Sequence, residues 1–372
     1  MGAVIDRVES VGVEVPLPVP FMGSTYNVTK RATVVTRVYS SDGAVGVVYN
    51  GDPRDDAARV ASVVTEQLAD EVIGKDPENV GEIWDGMFRH TYTQGTRQIL
   101  LNAISSLDCA IWDLRARIVQ TSVAALLGRS PRSVPAIAIA GYYQEGKTLD
   151  DLATEMQDLK VAGVCGCKMK IGGLSPEEDA ERTAAARAGA GDDFVLAVDA
   201  NRAWTVEEAL RFASRVEGLG IEWFEEPCRW YADVEGMARV ATRTNIPICA
   251  GQSERTSQGA RDLMSSGAVD VINYDASEGG GVTEWQRVAA LANTYGRRVA
   301  HHEEPQISSQ LLSSVRDVAY VECFPNRGRD PIWADMVVDG PRLDAGEMVP
   351  ASGHGFGLDL SAEFISRFSV KA

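Results

Sequence analysis

The sequence predicts a parallel (β/α)8-type barrel, a modified TIM barrel, with an N-terminal α+β capping domain completed by the C-terminal tail. Three observations lead there. From about residue 134, eight short β-branched or apolar runs recur at intervals of roughly 20–30 residues. A helix-period pattern follows nearly every run, and such alternation implies parallel strands. The chain before about residue 130 has a different order, strands first and helices after, as expected of an α+β module.

In chain order, "VIDRVESVGVEVPL" and "ATVVTRVYSSDGAVGVVYN" read as extended strands, the second a hairpin through Ser41, Asp42 and Gly43. Helical patterns follow from after Pro53 towards Ile73, near 78–89, and over about 97–119. In the last, Ile99, Ala103, Leu107, Ala110, Ile111 and Leu114 keep helical spacing. The barrel strands are "VPAIAIAGYY", "GCKMKIG", "FVLAVDAN", "IEWFEEP", "IPICAGQ", "AVDVINYD", "RRVAHH" and "VAYVECF". A doubly wound open sheet is the competitor, but it usually carries a Gly-rich phosphate turn after its first strand, and "AGYYQEG" is not one. The tail, irregular and Gly-rich ("GHGFGLDL"), is expected to pack back on the cap. The expected division is 1–130 for the cap, 131–335 for the barrel and 336–372 for the returning segment.

Composition narrows the partners. The 372 residues are 45% apolar and 24% charged, with 53 acidic against 36 basic side chains and a formal charge of −17. Most of such a surface repels polyanions, so neither nucleic acid nor an anionic membrane is an expected partner. A small anionic substrate needs a local cation, such as a metal ion or a lysine. No apolar run approaches a membrane span, and "MGAVIDRVES" lacks the apolar core of a secretory signal. Six scattered cysteines, with only Cys165 and Cys167 close together, read as reduced thiols of a cytoplasmic protein rather than a zinc site.

Barrel active sites lie at the C-terminal strand ends. Here the second strand ends with Lys168 and Lys170, the third with Asp199 and Asn201, the fourth with Glu225 and Glu226. The fifth ends with Gln252, with Glu254 just beyond; the sixth with Asp275, the seventh with His301 and His302, the eighth with Glu322. Lys168 and Lys170 are two apart and share a strand face, so their mutual repulsion is expected to lower at least one pKa towards a usable base. Asp199 and Glu225 offer hard oxygen ligands suited to Mg²⁺.

Six segments, "KMK", "VDAN", "WFEEP", "NYDASEGGGVTEW", "HHEEPQIS" and "YVECF", resemble in order and placement the mandelate racemase branch of the enolase superfamily. The resemblance implies Mg²⁺-assisted abstraction of a proton α to a carboxylate, through an enediolate. It implies Lys170 as base, Lys168 as its electrostatic neighbour, and Asp199 and Glu225 as metal ligands. On the opposite face it implies His302 with Asp275, and Glu322 as a hydrogen-bonding electrophile. His301 is expected to point away from the axis by strand alternation. One departure stands out: the third ligand position, usually a carboxylate, is Gln252, with Glu254 as the alternative.

Lys170 and His302 on opposite faces imply dehydration of an acid sugar when a β-hydroxyl can leave. Racemisation, epimerisation or cycloisomerisation of a carboxylate are the alternatives. Asn201, Tyr142, Trp204 and Ser24 of the "PFMGSTYN" loop are expected to bind the substrate, a small sugar acid. A dimer-based homo-oligomer, up to an octamer, is implied by the resemblance. A non-catalytic binding barrel is a remote reading, suggested only by Gln252.

Overall fold

A computed structural model describes residues 2–92 and 96–371. Three strands, β1 (Ile5–Met22), β2 (Asn27–Ser40) and β3 (Val45–Asn50), form an antiparallel sheet with β2 between the others. The hairpin joining β2 to β3 is closed by the Gly43 N–H donating to the Ser40 carbonyl at 3.0 Å. Because side chains alternate across a strand, β2 serves two cores. Val34 and Val38 join the main core. Val35, with Val13 and Val15 of β1, joins a smaller one completed by Ile332, Met336, Leu360 and Ile365.

The helix Arg97–Ile118 lies against this sheet. Gly46 is required where they meet, since a Cβ there would collide with the Ala110 carbonyl. On its other side the helix is tied to the barrel helix Gly281–Tyr295. Trp112 Nε1 donates to Thr283 Oγ1 at 2.9 Å, and Asp108 accepts from the Thr283 N–H and hydroxyl at 2.9 and 2.6 Å. These are buried polar groups with partners, which is what makes their burial tolerable.

All eight expected runs form strands: β4 (Val134–Ala140), β5 (Gly166–Lys170), β6 (Val195–Asp199), β7 (Ile221–Glu225), β8 (Ile248–Ala250), β9 (Val271–Asn273), β10 (Arg298–His301) and β11 (Val318–Cys323). Neighbours pair in parallel and β11 pairs with β4, closing the barrel. Three of the outer helices begin at capping boxes, Thr148 with Asp151, Ser175 with Glu178 and Thr205 with Glu208. Each box satisfies helix-start N–H groups and so fixes where the chain turns from loop to helix. Inside, Ile137, Ala197, Trp223, Cys249, Val271, Ala300 and Ala319 make an apolar layer. Two residues further along β6 and β7 the same inward face becomes charged, with Asp199 and Glu225.

The tail contributes β12 (Val337–Asp339), β13 (Arg342–Asp344), β14 (Glu347–Val349), β15 (Asp359–Leu360) and β16 (Ser369–Val370). β16 pairs with β1 of the cap, as expected, and β14 also pairs with β4 of the barrel. Among the described residues no helix is long and apolar enough to cross a membrane.

Candidate active site

Strand register places the first charged groups. Lys170 on β5 is the register partner of Asp199 on β6, which is the partner of Glu225 on β7. Lys170 Nζ donates to Asp199 Oδ2 at 2.6 Å. Lys168 Nζ lies 2.6 Å from Glu322 Oε1, 3.2 Å from Glu225 Oε2 and 3.8 Å from Asp199 Oδ2. Asn273 Nδ2 bridges Glu225 and Glu322 at 2.8 and 3.1 Å.

This web reverses one expectation. Burial and the Lys170 charge both push the Lys168 pKa down, but the Glu225 and Glu322 carboxylates outweigh them and it rises. Lys170 is likewise depressed by burial and raised on balance by Asp199. The two ammonium groups do repel, yet each has a carboxylate closer than its neighbour's charge matters. Burial raises Glu225 to about 7 against the opposing pull of Lys168. For Asp199 burial also pushes upward, but Lys170 and Lys168 win and its pKa falls.

Across the barrel, His302 Nδ1 meets Asp275 Oδ2 at 2.9 Å. His301 is wholly buried, its Nδ1 on the His302 carbonyl at 2.9 Å and its Nε2 accepting from the Ala276 N–H at 3.0 Å. Both its ring nitrogens are taken by backbone, and burial lowers its pKa. His302 is the one that faces open space. It lines a cavity of about 310 Å³ together with Lys170, Asn201, Glu226, Gln252 and Asp275.

The cavity wall is strained. Eight non-glycine residues have positive φ among those described, and six of them (Arg54, Asn201, Arg202, Glu226, Glu303, Glu304) line this cavity. Each costs about 1–3 kcal/mol, and such strain persists where surrounding contacts over-determine it.

Comparison with known proteins gives the family. Residues 7–128 match the mandelate racemase / muconate lactonizing enzyme N-terminal domain, and residues 151–364 match the enolase C-terminal domain-like family. The chain belongs to the mandelate racemase branch of the enolase superfamily. It is 34% identical over 368 residues to D-galactarolactone cycloisomerase of Agrobacterium fabrum, covering 95% of this chain and 96% of that one. It is 30% identical to arabinonate dehydratase of Saccharolobus solfataricus, covering 91% of each. A mandelate racemase/muconate lactonizing enzyme from a marine actinobacterium, solved in complex with magnesium, superposes with a TM-score of 0.92 at 37% identity over the full length of both chains.

In this enolase-superfamily barrel, not every residue singled out from sequence reaches the cavity. Glu254 turns to Arg202 at 3.4 Å, captured by the nearest cation, and is not a lining group. Trp204 is packed between Phe212 and Phe224, ring centroids 5.1 and 6.1 Å away, so it belongs to the apolar shell and not to the barrel mouth. Ser24 lines an adjacent cavity. From the same loop it is Tyr26 that reaches the site, donating to Asn201 Oδ1 at 3.3 Å. Tyr142 is a buried wall behind Lys170, its ring centroid 5.8 Å from Nζ. Glu322 accepts from Lys168, Asn273 and the Glu303 N–H, so it serves as an acceptor rather than as a donor.

Glu226 was not assigned a role from sequence. Its carboxylate accepts from Gln252 Nε2 at 2.9 Å and Ser253 Oγ at 2.7 Å, and pairs with Arg202 Nε at 3.1 Å. Its signal was the doubled glutamate of "WFEEP". Cap residues Arg31, Asp52 and Arg54 had no sequence signal that tied them to the barrel.

The donor set suits a hard divalent cation. The Lys168 ammonium already reaches both Asp199 and Glu225, so one positive centre can serve both carboxylates. The Gln252 amide sits 3.5 Å from the same Asp199 oxygen and can present its Oε1 after rotation. Among the described residues no cluster of three His, Cys, Asp or Glu side chains gathers to hold a metal.

Proposed function

We propose that the protein is a magnesium-dependent acid-sugar dehydratase, removing the proton α to a carboxylate and expelling the β-hydroxyl as water. The observation that carries this reading is one cavity holding Lys170 on one side and the His302–Asp275 pair on the other. Similarity to arabinonate dehydratase and to a magnesium-bound relative supports it.

Asp199, Glu225 and the Gln252 amide oxygen would hold the ion, two carboxylates and a neutral oxygen being an acceptable set for Mg²⁺ with room left for substrate. An Mg²⁺ ion held there would supply the positive charge that neutralises the substrate carboxylate. Lys170 Nζ, in its neutral amine form, takes the α-proton and becomes the ammonium. Lys168 meets the negative charge that develops on the carboxylate oxygens of the enediolate, and Glu322 and Asn273 hold Lys168 in place. His302 gives a proton to the departing β-hydroxyl, and the enol left behind becomes a 2-keto-3-deoxy acid. Asn201, anchored by Asp199 and Tyr26, faces the same cavity and orients the substrate.

Cycloisomerisation is the second reading, favoured by the 34% identity to a lactone cycloisomerase. It uses the same proton abstraction with a ring C–O bond in place of the β-hydroxyl. Proton NMR of the protein with Mg²⁺ in D₂O against mono- and diacid sugars and their lactones separates the outcomes. A 2-keto-3-deoxy pattern from an open-chain acid supports dehydration. Turnover of lactones alone moves the assignment to cycloisomerase, and α-deuterium without elimination moves it to racemase or epimerase. Silence throughout, with Lys170→Ala behaving identically, overturns the proposal.

A dimer-based assembly and a cytoplasmic setting belong to the same proposal. Six free cysteines, five of them buried, support a reducing compartment. Light scattering on the purified protein tests the assembly.

A further inference from the structure

Immediately after His302, the chain takes a left-handed turn. Glu303 has φ 47 and Glu304 has φ 52, a region that side chains other than glycine's enter only under strain. The turn folds the Glu303 carboxylate back on the preceding ring, with Oε1 3.6 Å from His302 Nε2. Its other oxygen, Oε2, is held from above by Arg31 of cap strand β2, at 3.3 Å. Its backbone N–H donates to Glu322 Oε2 at 3.1 Å. The carboxylate is thus held from the cap by Arg31, and the backbone that carries it is held from the barrel by Glu322.

His302 consequently has an acidic side chain at each ring nitrogen, Asp275 at Nδ1 and Glu303 at Nε2. One is enough to fix the tautomer. With Asp275 alone, a neutral ring holds its proton on Nδ1 and offers a lone pair at Nε2, which is the arrangement of a base. A second carboxylate at 3.6 Å is too far for a good hydrogen bond but acts fully through Coulomb attraction, and it favours the form protonated on both nitrogens.

We infer that Glu303, anchored by Arg31, is a positioning residue that loads His302 with its second proton and makes it the acid of the pair, leaving Lys170 as the base. This rests on the dehydratase reading and deepens it, because it names the side chain that puts the second proton on the acid. It also gives the cap a part in the chemistry.

Charged and titratable groups face the ring from several elements. Asp275 and Glu278 come from the loop after β9, Glu303 from its own loop, Lys168 from β5, and His301 is adjacent. Burial lowers the His302 pKa most, the charge of Glu303 is the largest single raising influence, Asp275 raises it both by its hydrogen bond and by its charge, and Lys168 opposes the rise.

The competing explanation is that Glu303 is only Arg31's partner, a latch between cap and barrel. Histidine-selective NMR titration of the Mg²⁺-loaded full-length protein distinguishes the two, and with four histidines in the chain assignment by substitution is practical. In E303Q the His302 resonance is expected to titrate about one pH unit or more lower, the size of effect of an opposite charge at this range. Wherever turnover is measurable, the alkaline limb of kcat moves down with it. An unchanged His302 titration in folded E303Q overturns the inference. If E303Q does not fold, E303D, which keeps the charge but retracts it, is read the same way and an unchanged titration again overturns it. The NMR readout needs no substrate, so failure of the dehydratase assignment and failure of this inference are seen separately.

Discussion

His302 Nδ1 lies 2.9 Å from Asp275 Oδ2, joining the end of β10 to the loop that follows β9. Burial pushes the Asp275 carboxyl up, but the His302 bond and the nearby imidazoles bring it down to about 2. Burial pushes His302 down, yet Glu303 and Asp275 raise it to about 9. At neutral pH the pair is an ion pair with the proton on the ring. If His302 is the acid, its titration sets the alkaline limb of kcat, which falls as pH rises through about 9. Stability follows the same sign: a raised histidine pKa contributes fully below its unfolded value of about 6.5 and is lost as pH climbs through the folded one. A kcat profile with its alkaline limb near the unperturbed histidine value would contradict this. Asp275→Asn should lower kcat by about 10²–10⁴-fold, the usual worth of a positioned acid or base.

Lys170→Ala removes the one ammonium that lines the cavity among the described residues. Turnover and α-proton exchange with solvent should both fall by at least about 10²-fold. Circular dichroism should stay unchanged, because Asp199 keeps its bonds from the Asn201 backbone and side chain at 2.8 and 3.1 Å. Retention of α-proton exchange in this variant would take the base role away from Lys170.

Gln252→Glu places a carboxylate where an amide now donates to Glu226 and Asp199 at 2.9 and 3.5 Å. Without a divalent ion, three anions in contact repel and the melting temperature in EDTA should drop below that of the parent. With Mg²⁺ the added charge strengthens binding, and ion at 100 times its Kd contributes about 2.7 kcal/mol. The Mg²⁺-linked rise in melting temperature should therefore be larger in the variant than in the parent. Equal rises in the two proteins would mean that position 252 does not touch the ion.

Trp204→Ala opens a cavity between Phe212 and Phe224 and should cost about 3–5 kcal/mol of stability. Trp204→Phe should keep KM for substrate, since the ring does not line the cavity. A rise in KM with unchanged melting temperature would return Trp204 to the binding site.

The sequence by itself determined the barrel, its eight strands and the polar residue at nearly every strand end. Those signals are local: β-branched runs, helical spacing after nearly every run, and alternation that turns His301 away from the axis. The pairing of Asp275 with His302 was implied by the family resemblance, and the structure places the two at 2.9 Å. Only the closed structure decided the rest. Whether Glu254 or Glu226 stood near Gln252 depended on where Arg202 came to lie, three loops meeting at one rim. The lysine pKa values went up rather than down because charge sums over distances in space, and Glu322 is 154 positions from Lys168 in the chain yet 2.6 Å from it in the fold. Tyr26 reaches the cavity, and Arg31 reaches Glu303 on its wall, through cap-on-barrel docking, which no periodicity records. Local pattern sets where a strand runs and which way its side chains point, but the neighbour that a loop carboxylate finds is fixed only when the barrel closes and the cap settles on it.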